Sequence, residues 1–439
     1  MKKVCKFGGS STANAVQFRK IAAIVRDDPS RRFIVVSAPG KDEAHPDKVT
    51  DFLVKVWDSR RVSQDWSGPW KAVTERFVEI AADLKLRLDL PAYFATIEKQ
   101  IRSKKATYDF VVSRGEYLCG LLMAQYMDFE FVDADQLIFF GHHGQVHPVT
   151  YEKIAERCNG SNGYIVPGFY GRQGEAVKAF PRNGSDITGA IVAGALAADL
   201  YENWSDTPLR VADPRIVPDA AIIRSITFRE IRELAYLGAS VLHADAIEPA
   251  RVRGVQIRIA DTNKPNDLGS IIRFEREPGP EVVAGIAGKA GFVRFNLAMP
   301  GLHDQTGFAA SVFCVFRDLG VSVEHFPTGT DTLSVVVHKD KLCDKTDRVL
   351  ERLQAITPGN PVEVSNGIAL VTIVGFGMAN YTRSLADIAE ALANEGIKVR
   401  MISQDFRQAN VIVGVDESQW QNAIRAIYGK FRKFYPKQN

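Results

Sequence analysis

The chain of 439 residues has few cysteines, and the five that it has are scattered. Cys5, Cys119, Cys158, Cys314 and Cys343 form no C-x-x-C pair, and an odd number cannot all be joined in disulfides. This spacing argues against both a disulfide framework and a zinc site. We expect these cysteines to be reduced and mostly buried.

Long apolar runs are also missing, as is an excess of charge of either sign. No segment approaches the roughly 20 apolar residues of a transmembrane helix, and Met1 leads into a short strand instead of a hydrophobic signal region. With 55 basic and 52 acidic residues the formal net charge is +3, and no basic stretch with interleaved aromatics indicates a nucleic-acid surface. We therefore expect a cytoplasmic protein that binds neither membranes nor nucleic acid.

The apolar content of 46 % is high enough for large hydrophobic cores, so the chain should divide into two or three domains. Pro278-Gly279-Pro280 indicates the main boundary, and we assign residues 1–278 to the first domain. Within it, buried-type strands that end in turn formers, such as 32–40, alternate with amphipathic helices. That alternation is typical of an α/β fold with a mainly parallel sheet.

Beyond the boundary two segments resemble one another at an offset of about 76 residues, from Gly320 to Gly396. Each has a helix, then a short strand that begins at the glycine, then a second strand, at 332–337 in one copy and 410–415 in the other. We interpret them as a tandem repeat of a β-α-β-β-α-β unit. An exposed sheet edge in such a unit predicts pairing within or between chains.

Lys6-Phe7-Gly8-Gly9-Ser10 carries the strongest chemical signal. A short apolar strand leads into two glycines, whose backbone N–H groups can approach an anion closely. We expect Ser10 or Ser11 to cap a helix over 13–25, so that its positive end faces the same anion. Lys6 would add a cation where charge develops in phosphoryl transfer. Spacing alone also allows a plain strand-to-helix turn, since this is not the longer P-loop pattern.

Two further segments combine turn residues with charges. Glu116, three residues after Ser113, is either part of a capping box or a functional carboxylate. Ser185 and Asp186 are either helix caps or, with Arg182, groups that face the neighbouring strand ends, where ligands of open α/β sheets collect.

Smaller signals point to scaffold. Thr50 is a candidate cap of the helix that begins there. His142, His143 and His147 lie in an exposed turn without a carboxylate or thiolate at ligand spacing, so no metal site is predicted.

The motifs together resemble those of the aspartate kinases of the amino-acid kinase superfamily, which carry C-terminal ACT domains. The resemblance covers nearly the whole chain. The matching segments are Lys6-Phe7-Gly8-Gly9-Ser10, Ser113-Arg114-Gly115-Glu116, Gly168-Phe169, Arg182-x-Gly184-Ser185-Asp186, Asp213-Pro214-Arg215, Gly238-Ala239-x-Val241-Leu242-His243 and Met401-Ile402-Ser403-Gln404. The resemblance implies an amino-acid kinase fold, a mainly parallel sheet between helices, followed by two ferredoxin-like ACT domains. One is nested in the other, at 291–364 and at 282–289 plus 366–435.

The implied reaction transfers the γ-phosphoryl group of ATP to the side-chain carboxylate of L-aspartate, giving 4-phospho-L-aspartate for lysine, threonine and methionine biosynthesis. A carboxylate is already nucleophilic at neutral pH, so no general base is needed. Mg²⁺ would be held mainly by phosphate oxygens rather than by protein side chains. The resemblance also implies feedback control through the ACT domains. It further implies that chains assemble through these domains into a homo-oligomer, which we expect to be a homodimer.

The resemblance assigns roles to individual residues. The implied catalytic residues are Lys6 and Asp186. The implied ATP contacts are Lys6, Gly8, Gly9, Ser10, Ser205, Asp206, Arg210 and Arg215. The implied aspartate pocket consists of Thr50, Glu116, Phe169, Arg182 and Ser185. In it, Arg182 would bind the α-carboxylate as a bidentate fork and Glu116 would bind the ammonium.

An effector site is expected in the first repeat, where a helix N-terminus favours a carboxylate. Its candidate residues are His303, Asp304, Thr306, Gly307, Phe308, Glu324 and Asp331. Their acidic groups favour lysine over threonine.

The chain departs from the family pattern near the nucleotide. Asn183 replaces a glycine but tolerates positive φ, and Ser240 replaces a lysine whose charge Arg210 or Arg215 could supply. The loop after Trp204 is one residue shorter than usual. These differences leave open a paralogue that phosphorylates an aspartate-like amino acid in a specialised pathway.

A catalytically silent amino-acid sensor is the third alternative. The joint presence of Lys6, Glu116, Arg182 and Asp186 argues against it, because desolvated charges are costly to keep without a function.

Overall fold

A computed structural model describes residues 1–181, 183–236, 244–275, 281–404 and 409–435. The chain forms two compact units. The first comprises Met1–Leu209, Ile222–Phe228 and Leu242–Arg276, and the second comprises Arg210–Ala221, Arg229–Val241 and Glu277–Asn439. Within the described ranges, no helix combines the length and the apolar character that crossing a bilayer requires.

The first unit is built on a mostly parallel sheet. Its described strands are β1 (Lys3–Phe7), β2 (Arg31–Val36), β3 (Glu130–Phe131), β4 (Tyr164–Pro167), β5 (Tyr170–Gln173), β6 (Ala176–Ala179), β7 (Leu200–Ser205), β8 (Ser225–Thr227), β9 (Gln256–Asp261) and β10 (Ser270–Arg273). The sheet has the order β3-β4-β2-β1-β7-β9-β10-β8, and β5 pairs with β6 in a separate hairpin. β9 and β10 are antiparallel, whereas β1 is parallel to both of its neighbours.

Helices cover both faces of this sheet. Those described in the first unit are α1 (Ala15–Asp27), α2 (Val49–Arg61), α3 (Ser67–Asp83), α4 (Leu90–Arg102), α5 (Tyr108–Val112), α6 (Arg114–Met127), α7 (Val149–Arg157), α8 (Gly184–Ala195) and α10 (Ala244–Arg251). Helix α9 (Phe228–Tyr236) belongs to the second unit from Arg229 on. Phe18 of α1, Phe77 of α3 and Leu122 of α6 share one hydrophobic core with Cys5 and Phe7 of β1. α8 contacts β1, β2 and β7.

Two predicted helix caps were wrong. α1 begins at Ala15, and its cap is Asn14, whose side chain accepts a hydrogen bond from the Gln17 N–H at 3.1 Å. Ser10–Thr12 form a short 3-10 helix of their own, because the Thr12 N–H donates to the carbonyls of Gly8 and Gly9. Thr50 is the second residue of α2 rather than its cap.

The second unit contains an antiparallel sheet. Its described strands are β11 (Gly285–Ala298), β12 (Thr332–His338), β13 (Val362–Val374), β14 (Met401–Gln404) and β15 (Asn410–Asp416), in the order β12-β11-β13-β15-β14. Its described helices after β11 are α11 (Phe308–Asp318), α12 (Lys339–Leu342), α13 (Thr346–Ile356), α14 (Ser384–Asn394) and α15 (Trp420–Phe431).

Both repeats share the two long strands of this sheet. The first half of β11, from Gly285 to Lys289, pairs with the end of β13, and the second half pairs with the start of β13 and with β12. An irregularity between Lys289 and Phe292 separates the halves. One continuous ladder therefore joins the two repeats.

The internal repeat is visible in matching helix ends. Gly320 after α11 and Gly396 after α14 have φ of 63° and 64°, and the next residue of each donates its N–H to a carbonyl five residues earlier. The strands expected to begin at these glycines are less regular than predicted. In the first repeat His325 forms an isolated bridge to Val336, and in the second β14 starts only at Met401.

Candidate active site

The segments that follow β1, β2 and β7 lie at one edge of the first sheet, because these neighbouring strands are parallel. The Gly8 N–H donates to the carbonyl of Trp204 at 3.0 Å, and the Gly40 N–H donates to the carbonyl of Gly9 at 2.8 Å. A Cβ on Gly40 would lie 2.6 Å from the carbonyl carbon of Gly9, so no larger residue fits there without a backbone shift. The two loops form one rigid rim.

Lys6 and Asp186 form an ion pair beneath this rim. The Lys6 Nζ lies 2.6 Å from the Asp186 Oδ1, and the two side chains are 9 % and 17 % exposed. Asn203 lies beside Lys6 in the register of β1 and β7, and its Nδ2 donates to the same Oδ1 at 2.8 Å. The Lys6 ammonium lies next to Gly8, since a Cβ added to Gly8 would be 3.4 Å from the Lys6 Nζ.

The turn before α8 brings Phe169 and Ser185 close to this pair. Asn183 has φ of 48°, which confirms that it preserves the left-handed turn expected of a glycine. Phe169 has φ of 80° and donates its N–H to the Thr188 hydroxyl at 3.1 Å. A Cβ on Gly168 would lie 2.6 Å from the Ser185 Cβ, so the two segments are in tight contact. Arg182 lies outside the described residues.

A cavity of about 510 Å³ opens beside the glycine rim. It brings together five residues that the sequence analysis assigned to ATP or aspartate. Its lining consists of Gly9, Ser10, Ser37, Ala38, Pro39, Gly40, Lys41, Lys48, Thr50, Glu116 and Asp206. The lining mixes backbone groups, two cations and two carboxylates, which suits a charged substrate.

Glu116 is the buried carboxylate of this cavity. The residue is 5 % exposed, and its Oε2 has no hydrogen-bond partner among the described residues. Burial raises the pKa of Glu116 to about 7, although hydrogen bonds from the backbone of Ala38 and of Glu116 itself act in the opposite direction. The capping-box alternative is wrong, since the Ser113 hydroxyl donates to the Phe110 carbonyl at 2.8 Å and makes no cap hydrogen bond. Glu116 is therefore available to a cation in the cavity.

Other predicted nucleotide contacts are engaged elsewhere. The Ser205 hydroxyl donates to the Thr207 carbonyl at 2.8 Å. Arg210 and Arg215 belong to the second unit, where Arg210 donates to the Ala220 carbonyl at 2.6 Å and Arg215 pairs with Asp213 at 2.5 Å. Their roles in ATP binding stay predictions, and residues 238–243 lie outside the described ranges.

Asn203, Lys41 and Lys48 are site residues that were not predicted from the sequence. Asn203 belongs to β7 and is only 4 % exposed. A polar residue at the carboxyl end of an otherwise buried strand was the available signal. Lys41 and Lys48 lie at the two ends of a polar stretch, and nothing in its sequence indicates which of its residues line the cavity.

The expected effector residues are only partly brought together. The His303 N–H donates to the Thr330 carbonyl at 3.1 Å, and the Asp331 Oδ1 accepts from the Gly301 N–H at 2.8 Å. Glu324 lies apart from this cluster, because its N–H donates to the carbonyl of Val336. Val336 is five residues after Asp331, a separation of roughly 16 Å along a strand.

Asp304 ends the 3-10 helix Leu302–Asp304, and Thr306, Gly307 and Phe308 lie at the start of α11. Gly307, with φ of 83°, precedes the helix, and Phe308 is buried. The carboxylate of Glu324 accepts a hydrogen bond from the Tyr236 hydroxyl, and burial raises its pKa. An effector role for all of these residues stays a prediction.

Comparison with known proteins adds independent evidence. A model of the amino acid kinase family matches residues 1–261, and an ACT domain model matches residues 371–431. Aspartokinase 3 of Bacillus subtilis is 32 % identical to this chain over 450 residues, which cover 98 % of each protein.

Solved structures give the same result. The crystal structure of Clostridium acetobutylicum aspartate kinase is 37 % identical, with a TM-score of 0.85, and the match covers 98 % of this chain and 100 % of that one. E. coli aspartokinase III in complex with aspartate and ADP matches in fold, at 23 % identity, a TM-score of 0.76 and coverage of 98 % and 99 %. The predicted fold class and the prediction of an aspartate kinase are confirmed. Because the matches run nearly from end to end, the chain belongs to the aspartokinase family.

Proposed function

We propose that this chain transfers the γ-phosphoryl group of ATP to the side-chain carboxylate of L-aspartate, with both substrates meeting at the cavity beside Gly9 and Gly40. The observation that carries this assignment is the buried Lys6 ammonium, held by Asp186 directly below the glycine rim. A fixed cation in a water-poor site stabilises the negative charge that builds up on a transferring phosphoryl group.

Three residues divide the work around the phosphoryl group. Lys6 provides the positive charge, and Asp186 and Asn203 hold its ammonium in place through the shared Oδ1. Backbone N–H groups of Gly9 and Ser10, at the cavity wall, bind phosphate oxygens. The attacking group is a carboxylate, so catalysis requires positioning and charge stabilisation rather than proton removal.

Glu116 binds the ammonium of aspartate. Its burial makes the ionised form costly without a cation, and a substrate ammonium compensates that cost directly. Arg182 stays the proposed partner of the α-carboxylate.

Mg²⁺ fits this site as an ion held mainly by the nucleotide. Within the described ranges, no group of three or more His, Cys, Asp and Glu residues could hold a metal, and the Asp186 Oδ1 is already engaged by Lys6 and Asn203. Asp206, exposed at the cavity, is the carboxylate that can contribute a ligand. Bound Mg²⁺ would neutralise phosphate charge.

We further propose regulation by lysine through the second unit and assembly of chains through it. The edge strand β14 supports the assembly, because it pairs with β15 on one side and Ile402 on it is 48 % exposed. E. coli aspartokinase III has been crystallised with lysine and aspartate. The acidic residues of the first repeat suit a cationic amino acid.

The test is ATP-dependent trapping of the acyl phosphate with hydroxylamine. The expected result is a hydroxamate from L-aspartate that is absent for the Lys6→Met variant. A hydroxamate from glutamate or another aspartate-like amino acid, but not from aspartate, would instead support the paralogue. If no amino acid gives a hydroxamate, the result would support a catalytically silent sensor.

A further inference from the structure

A second cavity of about 420 Å³ lies in the first unit at the start of α6. Arg114 and Tyr117 face it, whereas Glu116 between them faces the active-site cavity. Its lining comes from α4, the α4–α5 loop, α5, α6, the segment after β3 and the β5–β6 hairpin. The lining residues on which the argument depends are Tyr93, Ile97, Phe110, Arg114, Tyr117 and Asp133. None of them takes part in the phosphoryl transfer proposed above.

Arg114 is the buried cation of this cavity, whose lining also includes the exposed Lys105. The residue is 5 % exposed, and its guanidinium carbon lies 4.5 Å and 4.7 Å from the ring centroids of Phe110 and Tyr117. Its Nε donates to the Phe110 carbonyl at 3.1 Å, and its Nη2 donates to the Ser113 hydroxyl at 2.9 Å. In the part of the chain that the structure describes, Arg114 forms no ion pair and its Nη1 donates to no acceptor. A buried guanidinium that no carboxylate contacts favours an anionic ligand.

Asp133 is one of three carboxylates that line the cavity, with Asp135 and Glu175. Its Oδ1 accepts hydrogen bonds from the Tyr170 hydroxyl at 2.6 Å and from the Asp135 N–H at 3.3 Å. Burial raises the pKa of this carboxyl, and the Tyr170 hydrogen bond and the charge of Arg114 act in the opposite direction. Across the described residues no cation lies within ion-pair distance of Asp133, whereas its neighbour Asp135 pairs with Arg172 at 3.2 Å.

Opposite charges thus line one cavity without forming an ion pair, and Tyr93, Ile97 and Phe110 contribute apolar surface to the same lining. A simple anion would meet Arg114 and Lys105 but also Asp133, Asp135 and Glu175, and a simple cation would meet the buried guanidinium. A zwitterion satisfies both ends. Its apolar part would pack on Tyr93, Ile97 and Phe110, as in most small-molecule pockets.

We propose that this cavity binds a free α-amino acid with an apolar side chain, its carboxylate on Arg114 and its ammonium on Asp133. The assignment depends on the charges of the cavity and not on the proposed phosphoryl transfer.

The test is calorimetric titration of the full chain with L-leucine, L-methionine and L-phenylalanine, each compared with its amide and its N-acetyl derivative. The amide lacks the carboxylate and the N-acetyl derivative lacks the ammonium. We expect at least one free amino acid to bind roughly 10- to 100-fold more tightly than both of its derivatives, the effect of losing one charged hydrogen bond in a desolvated site.

Two variants separate the charges. Arg114→Met should no longer bind the free amino acid more tightly than its amide, but should still bind it more tightly than the N-acetyl derivative. Asp133→Asn should keep the preference over the amide and lose the preference over the N-acetyl derivative. Lys178→Met is the matched control, since Lys178 lies on the same β5–β6 hairpin, pairs with Asp109 of α5 at 3.0 Å and does not itself line the cavity. It should bind as the unmodified chain does.

Three results would overturn the proposal. They are the absence of binding by all three amino acids at millimolar concentration, equal affinity for the derivatives, and affinities that neither variant changes. If Arg114→Met binds nothing because it fails to fold, Arg114→Lys replaces it and must retain the preference over the amide. Loss of that preference would also overturn the proposal.

Discussion

The charged residues proposed for catalysis and those proposed for regulation differ in how much water reaches them. Lys6 and Asp186 have side chains that are 9 % and 17 % exposed, and Glu116 is 5 % exposed. The side chains of His303 and Asp304 are 54 % and 79 % exposed. Interactions between charges are strong where water is excluded and screened where it is not. Charge removal should therefore have a large effect in the first unit and a small one in the second.

The largest effect is expected for Lys6→Met. Removing the cation that faces the transferring phosphoryl group should lower kcat about 1,000-fold, comparable to losing an oxyanion donor. Steady-state kinetics with ATP and aspartate measure this. Lys3→Met is the matched control, because Lys3 lies on the same strand and pairs with Asp28 at 2.6 Å but sits at the other end of β1. Equal losses in both variants would show that the strand, and not the Lys6 charge, is responsible.

Glu116→Gln should stabilise the ligand-free protein at high pH. The folded carboxyl keeps its proton up to about pH 7, whereas the unfolded chain releases it near pH 4.5. The wild type therefore loses stability as pH rises between these values, by about 3 kcal/mol in total, and the glutamine variant does not. Thermal unfolding should give equal midpoints near pH 4.5 and a higher midpoint for the variant at pH 8. A glutamine variant less stable than the wild type at pH 8 would contradict the proposed cost of burying an ionised Glu116 carboxylate.

The same residue should give the KM for aspartate a pH dependence. Because the ionised carboxylate binds the substrate ammonium, KM should be about tenfold higher at pH 6 than on the plateau, which is reached about one pH unit above the pKa of about 7. Kinetics across this range should show the change in KM for aspartate but not in KM for ATP. In Glu116→Gln, KM for aspartate should be high and flat. A wild-type profile that is flat as well would remove Glu116 from substrate binding.

The smallest effect is expected for Asp304→Ala. Since Asp304 is 79 % exposed, its loss should raise the lysine concentration for half-inhibition only a few-fold, with uninhibited kcat unchanged. Asp318→Ala is the control, because Asp318 ends the same helix that Asp304 precedes and pairs with Arg317. Inhibition by threonine alone would contradict the charge argument, and a thousand-fold effect would contradict the comparison of exposure.

Local chemistry was predictable from the sequence because it is carried by adjacent residues. Lys6, Gly8 and Gly9 follow one another, and the residues around Asp186 share one turn. Asn203 was missed because its proximity to Lys6 arises from the register between β1 and β7, which no local pattern encodes.

Helix caps were wrong for a related reason. Ser10, Ser11 and Asn14 can all cap a helix, and the choice depends on tertiary hydrogen bonds such as those that the Thr12 hydroxyl donates to the Ser37 and Ala38 carbonyls. The second cavity is lined by residues from Tyr93 to Val177, a span over which single-sequence patterns give no distances.

The shared strands also affect the order in which the chain can fold during synthesis. The second repeat takes its first strand from Gly285–Lys289 and its last helix from Trp420–Phe431, so it cannot be completed until most of the chain has left the ribosome. The first repeat lies between these segments and has all of its strands once β13 has been made. Until β15 emerges, the end of β13 is an open edge that a neighbouring nascent chain or a chaperone can pair with.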